Sequence, residues 1–129
     1  MGFNYSITDS NVVVLKDKMS EIDKSIREDS QRSIAAGYGS DVDESLDIPL
    51  LKQLVENNLW HLEMPDENGD IPLLTPFNAT KNDDHCDFLR VIACGVKEGS
   101  FVQVRNDDGN IYRHVFKNAK RETIYPSWD

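Results

Sequence analysis

A chain of 129 residues with a formal net charge of −9 sets the first limits on what this protein can do. The length fits one domain, residues 1–129, and allows roughly two-thirds of the unfolded surface to be buried without disulfide or metal support. The charge argues against direct binding to DNA or RNA, because proteins hold phosphate with Lys and Arg. The acids are concentrated in one segment, since residues 41–87 contain twelve acids and two bases.

Signals for secretion and membrane insertion are missing from the sequence. The first residues contain no basic region followed by an apolar run, and the apolar runs at 12–15 and 91–96 are far shorter than the roughly 20 residues of a membrane span. Cys86 and Cys94 would lie roughly 12 Å apart on one helix, whereas a disulfide needs α-carbons within about 7 Å. We therefore expect a cytoplasmic protein with reduced thiols and no membrane contact.

The first predicted element is a helix that Asp9 or Ser10 can cap. Its apolar residues follow one another at spacings of three and four, which is the pattern of one helix face. The residues of this seam are Val12, Leu15, Met19, Ile22 and Ile26. Packing on the chain's own core is the favoured interpretation, and a homodimer contact through the same seam is the alternative. Beyond the helix, residues 35–46 are predicted to be a flexible linker with two glycines.

A stretch of nine residues occurs twice in the acidic segment. The sequence "DESLDIPLL" at 43–51 returns as "DENGDIPLL" at 66–74, with seven of nine positions identical. The first copy predicts a helix with Asp47 as its N-cap. Pro76 follows the second copy and disfavours a helix there, so residues 65–82 are predicted to be an irregular loop. We interpret the copies as two acidic shoulders of one surface, each held by its pair of leucines.

The remaining elements give the expected fold class. Alternation at 60–64 predicts a strand, and the apolar residues of 83–99 predict a third helix, in which Gly95 marks a close helix–sheet approach. Two β-rich runs joined by "DDG" predict a hairpin at 100–116, and "ETIYP" predicts a further strand. The expected class is α+β, with three helices packed on a small C-terminal antiparallel sheet of this hairpin plus one or two further strands.

No pattern in the sequence completes a catalytic or metal-binding motif. His61 and Glu63 match half of a zinc-deaminase signature, but its P-C-x-x-C half is absent. Adjacent His85 and Cys86 would point about 100° apart on a helix, which excludes a direct hydrogen bond between them. We therefore expect neither a cofactor nor a metal, and keep a small hydrolase that uses His61, His85 or Cys86 as an alternative.

The charge pattern leads to the main functional hypothesis, an acidic non-enzymatic interaction protein. An inhibitor or immunity-type protein of this kind would neutralise a basic partner such as a nuclease toxin. The expected binding residues are Asp41, Asp43, Glu44, Trp60, Asp66, Glu67 and Asp70. Trp60 is the aromatic anchor of this set, with core packing as its alternative role. Simple solubility is the alternative for the acids, and a homo-oligomeric adaptor or phage-type accessory protein using the 12–26 seam is the second binding hypothesis.

Overall fold

The computed structural model of the protein describes residues 5–40, 42–75, 80–81, 87–106 and 108–125. Its strands are β1 (Tyr5–Val14), β2 (His61–Leu62), β3 (Ile71–Leu74), β4 (Thr80–Lys81), β5 (Phe101–Asn106), β6 (Ile111–Lys117) and β7 (Lys120–Ile124). Its helices are α1 (Met19–Ala35), α2 (Leu50–Asn57) and α3 (Phe88–Ile92), and short 3₁₀ turns occupy Lys16–Lys18 and Ala93–Gly95. This combination of helices and strands confirms the predicted α+β class.

The strands form one antiparallel sheet in the order β2-β3-β1-β5-β6-β7, and β4 pairs with the start of β1. The predicted hairpin is β5–β6, and β7 follows it as the predicted further strand. The sheet is larger than expected because β1 enters its centre, between β3 and β5. It is therefore not purely C-terminal: an N-terminal strand connects the C-terminal hairpin to the β2–β3 pair.

The first predicted helix is wrong at its start, because Tyr5–Val14 form the central strand β1. Three consecutive valines at 12–14 favour an extended chain, since their branched side chains fit a pleated surface. Val12 and Val14 enter the core from one face of this strand. Helix α1 begins only at Met19, after the 3₁₀ turn.

The predicted seam is therefore not one helix face. Val12 is buried on the sheet, whereas Ile22 and Ile26 are buried on α1, which faces α3 and the turn after it. Met19 is half-buried against the same core, and Leu15 lies between the strand and the 3₁₀ turn. With three of its five residues covered by their own chain, the seam offers no continuous apolar face to a second copy.

The third helix is shorter than predicted. It ends at Ile92, and after the 3₁₀ turn Val96 is extended and forms a bridge to Val14 of β1. A Cβ at Gly95 would overlap the side chain of Ile22 on α1. Gly95 thus allows two helical segments to approach closely, so the predicted close approach is correct but its partner is α1 and not the sheet.

The predicted irregular loop at 65–82 contains strands. Residues Ile71–Leu74 form β3, which pairs with β1 on one side and β2 on the other. Pro72 is tolerated in this strand because its polar groups face β2, where its carbonyl accepts the amide of Glu63 at 2.9 Å. Its missing amide proton therefore removes no bond to β1. The loop prediction is therefore wrong at 71–74 and 80–81, where the chain forms strands, although a helix is absent between 71 and 74 as expected.

The predicted linker at 35–46 has no helix or strand in its described residues after Ala35. It is nevertheless attached to α2 through the buried side chain of Gln53. The Nε2 of Gln53 donates to the carbonyls of Asp43 at 3.1 Å and Ile48 at 2.9 Å, and its Oε1 accepts the amide of Asp43 at 2.7 Å. The segment therefore lies against the start of α2, and its mobility stays a prediction.

The core lies between one face of the sheet and the three helices. Its largest fully buried side chains include Trp60, Phe116, Ile22 and Leu89. Within the described ranges, no helix is both long enough and apolar enough to cross a membrane.

Candidate protein-binding surface

Residues 42–75 contain eight acids and one lysine, which gives this segment a net charge of −7 with its histidine neutral. The structure divides these acids into two groups by what their carboxylates contact. Four of them bond their own chain: Asp43, Glu44, Asp66 and Asp70. Four others are exposed and form no ion pair with any described residue: Asp47, Glu56, Glu63 and Glu67.

Both copies of the repeat begin with the same turn, which their first aspartate stabilises. The Oδ1 of Asp43 accepts the amide of Ser45 at 2.9 Å and its hydroxyl at 2.6 Å. The Oδ1 of Asp66 accepts the amides of Asn68 and Asp70 at 2.9 and 3.0 Å. Aspartate commonly closes such turns onto the backbone two residues ahead. These two predicted binding residues therefore have a structural role within the chain.

The bonds from Ser45 also change the acidity of Asp43. The hydroxyl of Ser45, and to a smaller extent its backbone amide, donate to the carboxylate of Asp43 and hold the pKa of Asp43 below the ordinary value of 3.8. Hydrogen bonds of this kind favour the charged form, because the carboxylate is the better acceptor. The negative charge of Asp43 is thus part of the turn.

The other two bonded acids attach the copies to different places. The Oδ1 of Asp70 accepts the amide of Lys16 at 2.9 Å, just before α1. The Oε1 of Glu44 lies 3.0 Å from the Nε of Arg27, halfway along α1. Lys16 and Arg27 are separated by on the order of 15 Å at helical rise. The interpretation of the copies as shoulders of one surface gains no support from these contacts.

Trp60 is not an exposed anchor. Its side chain is completely buried, and its ring packs edge-on against Phe88 with centroids 5.6 Å apart. The alternative of core packing is the correct one for this residue. Asp41, the remaining predicted binding residue, lies outside the described residues.

Exposed apolar side chains are concentrated in the same segment as the acids. Of nine large apolar side chains that are exposed in the described part of the chain, five belong to 42–75. These five are Leu46, Ile48, Leu59, Met64 and Leu74. Leu74 lies directly opposite His61 in the β2–β3 pair, which places their Cβ atoms about 5 Å apart. Two of these exposed side chains, Leu59 and Met64, lie close to the buried Trp60 in the sequence.

Leu59 is held in an unfavourable backbone conformation. It follows the end of α2 with a φ of 70°, in the left-handed region that glycine normally occupies at this position. Two bonds fix it there: the amide of Leu59 donates to the carbonyl of Glu56 at 3.0 Å, and the amide of Trp60 donates to that of Val55 at 3.0 Å. This is a Schellman turn with leucine in the glycine position, and the leucine side chain is 42% exposed.

We group the exposed residues of β2, the facing residue of β3 and the exposed residues just before and after β2 as one candidate site, which we call the β2 edge surface. It consists of Glu56, Leu59, His61, Glu63, Met64 and Leu74. Met64 is 83% exposed and follows β2 by two residues. Glu56 lies in the last turn of α2, and Glu63 follows β2 directly. The surface thus combines exposed apolar side chains with acids that form no ion pair with a described residue.

The hydrolase alternative receives no assembled site in the described residues. His61 is exposed on β2, while His85 and Cys86 lie outside the described residues. Burial, and next the charge of Glu21, raise the pKa of the Cys94 thiol, which makes it a poorer nucleophile. The described residues contain no group of three His, Cys, Asp or Glu that could hold a metal ion.

A concave region lies at the opposite end of the sheet, across β5, β6 and β7. This groove of about 420 Å³ is lined by the apolar side chains of Phe101, Val115 and Ile124. Its charged lining is Glu98, Arg113, Lys117 and Glu122, two acids and two bases. Because the charges balance, the groove has no sign of charge by which it could select a partner.

Comparisons of this chain with protein-family models, with curated proteins and with solved structures found no match.

Proposed function

We propose that the protein is a non-enzymatic binding protein that covers a basic surface of a protein partner, as an inhibitor or immunity-type protein neutralises a nuclease toxin. One coincidence carries the proposal: exposed apolar side chains and acids without a described ion pair occur together at the β2 edge surface. Covering apolar groups with a partner stabilises the complex, and acids speed association with a basic surface. The same proposal includes no direct contact with nucleic acid and places the protein in the cytoplasm.

The conformation of Leu59 supports a binding role for this surface. Glycine would satisfy the turn after α2 without the steric cost, which is roughly 1 kcal/mol for an L-residue in this region. Leucine adds no full burial in return, because its side chain is 42% exposed. Backbone strain that burial does not offset clusters at ligand-binding and switch regions, which favours a contact role for Leu59.

The experiment starts from the immobilised protein, which is used to capture its partner from cell extract, and the purified partner is then used for kinetics. The double variant Glu56→Lys, Glu63→Lys, which reverses both acids of the β2 edge surface, should slow association about tenfold at low salt and reduce its salt dependence. The matched control is Glu98→Lys, Glu122→Lys, which makes the same change of net charge on exposed glutamates of the turn before β5 and of β7 that likewise have no described ion pair. Equal effects of the two doubles, or capture of acidic partners alone, would contradict the proposal.

A second variant tests the apolar part of the surface. Leu59→Gly should raise the free energy of unfolding by roughly 0.5–1 kcal/mol, because glycine accepts the left-handed conformation, and should weaken binding to the same partner. The control is Ile34→Ala, which removes an exposed apolar side chain from the end of α1. If Leu59 affects only the stability of the protein, the Leu59→Gly variant should bind the partner as tightly as the unaltered chain does.

A further inference from the structure

The hydrogen-bond pattern of β2 decides which of its backbone groups face outward. The amide of Glu63 donates to the carbonyl of Pro72 at 2.9 Å, so these two residues form a bonded pair of the antiparallel ladder. Bonded and non-bonded pairs alternate along such a ladder. The next bonded pair is therefore His61 with Leu74, and the pair between them, Leu62 with Leu73, is non-bonded. The amide and carbonyl of Leu62 must point away from β3.

Among the described strands, this outward side of Leu62 lies at the edge of the sheet. β2 stands at the end of the strand order, and no described residue forms a backbone hydrogen bond with Leu62 on that side. Two residues earlier the backbone is already bonded, because the amide of Trp60 donates to the carbonyl of Val55 near the end of α2. At the other end of the sheet, Arg121 of β7 lies 3.9 Å from Asp87, next to α3.

We infer that β2 accepts an additional strand from the partner, through the outward amide and carbonyl of Leu62, and that this strand is an extended basic segment. The inference rests on the proposed function and names the part of the partner that the β2 edge surface binds. Unpaired strand edges are templates for such addition, in which main-chain bonds give affinity and alternate side chains give specificity.

Charge selects a basic occupant. Glu63 and His61 point to the same face of β2, and an incoming strand places alternate side chains on that face. A lysine or arginine there pairs with Glu63, and the excess of acids in residues 42–75 favours a basic strand as a whole. A second copy of this chain is a poorer occupant, because it brings another segment of eight acids and one lysine to the contact.

The probe is a pentapeptide of alternating lysine and valine, acetylated and amidated at its ends. Addition as a strand should slow hydrogen exchange of the Leu62 amide by about tenfold at saturating peptide, because that amide gains a bond. The amide of Glu63 is an internal control, since it is already bonded to Pro72. Unchanged exchange at Leu62 with the peptide bound would overturn the strand but leave a charge-based binding protein in place.

Two methylated peptides give a second, independent readout. N-methylation of the valine amides or of the lysine amides leaves every charge intact, and an added strand turns only one of these two sets toward β2. Strand addition therefore predicts that one analogue loses binding and the other keeps it. Equal binding of both analogues would contradict it.

The Leu62→Pro variant removes the outward amide without removing a bond to β3, and proline is tolerated at sheet edges. It should lower peptide affinity about tenfold, whereas Glu63→Gln, which leaves the Leu62 amide in place, should lower the affinity less and reduce its salt dependence. If no basic peptide and no basic protein binds the unaltered chain, the proposed function itself fails. A mass that doubles with concentration, together with slow exchange at Leu62 without peptide, would make a second copy the occupant and overturn the inference.

Discussion

The two copies of the nine-residue repeat begin alike and end in different structures. In both, the first aspartate accepts the amide two residues ahead and its carbonyl accepts the amide three residues ahead. The shared residues "DIPLL" then enter helix α2 in the first copy and form strand β3 in the second. Local sequence therefore determines the turn, and the surroundings determine the element that follows it.

The two positions at which the copies differ account for part of this divergence. Asn68 and Gly69 stand where the first copy has Ser45 and Leu46. Gly69 adopts a φ of 84°, which lets the amide of Asp66 donate to the carbonyl of Asp70 at 2.8 Å and close the connection between β2 and β3. Leucine disfavours that conformation, so the first copy does not close a hairpin.

The hairpin loop of the second copy occurs again between two other strands. Between β5 and β6, Gly109 has a φ of 81° and the amide of Asn106 donates to the carbonyl of Asn110 at 3.0 Å. The Oδ1 of Asn106 accepts the amides of Asp108 and Asn110, both at 3.0 Å. Five residues with Asp or Asn at both ends and glycine fourth thus close both hairpins, which makes this a structural signal and not a binding motif.

The largest expected difference between the copies is at their final leucines. Leu51 is 4% exposed and Leu74 is 45% exposed. Leu51→Ala should lower the free energy of unfolding by about 3 kcal/mol, because it removes buried methyl groups and leaves a cavity. Leu74→Ala should cost less than about 1 kcal/mol. Urea denaturation of the two variants measures both values.

The pair also tests the interpretation that two leucines hold each copy. Only the first copy buries both of its leucines, Leu50 and Leu51, whereas the second buries Leu73 alone. Equal losses of stability in Leu51→Ala and Leu74→Ala would restore that interpretation and contradict the burial seen here. The order should be reversed for binding to the partner: Leu74→Ala should have the larger effect, because Leu74 belongs to the β2 edge surface.

The parts of the fold that were predictable from the sequence are those set by neighbouring residues. The hairpin at 100–116 and the strand after it depend on short turns, and α2 depends on the apolar face of a helix that is eight residues long. β1 could not be predicted in this way, because its partners β3 and β5 lie far along the chain. Apolar residues of β1 and α1 happen to continue one helical spacing, which concealed the boundary between them.

The candidate site was predictable in its charge but not in its residues. Composition alone located the acidic segment, and Glu67 remains exposed without an ion pair among the described residues. Whether Asp43 or Asp66 bonds its own turn depends on backbone geometry that composition does not carry. The left-handed conformation of Leu59 left no readable signal, because Asn57 and Asn58 just before it adopt that conformation more readily than leucine does.

An exchange of the fourth residue of each copy tests the role of Gly69. Gly69→Leu should cost about 1–2 kcal/mol, because leucine disfavours the left-handed conformation. A Cβ there would also lie 2.7 Å from Cδ of Lys16, although that flexible side chain can move. Leu46→Gly should change stability by less than about 0.5 kcal/mol, since Leu46 is exposed. A larger loss in Leu46→Gly than in Gly69→Leu, measured by urea denaturation, would show that glycine does not separate the copies.

The smallest expected effect concerns the third residue of each copy and appears in acidity. Ser45→Ala removes the hydroxyl that contributes most to the lowered pKa of Asp43, so that pKa should rise toward 3.8 while the backbone bond retains part of the shift. Because the folded pKa lies below the ordinary value, Asp43 stabilises the fold above that value, and the contribution is lost as pH falls through the lowered pKa. Ser45→Ala should narrow this window of pH dependence. Carbon-13 NMR titration of the Asp43 carboxyl measures the shift, with Asn68→Ala in the second copy as the control that should leave it unchanged. An unaltered pKa of Asp43 in Ser45→Ala would mean that the hydroxyl bond is not formed in solution, and that the two turns are held by their backbone amides alone.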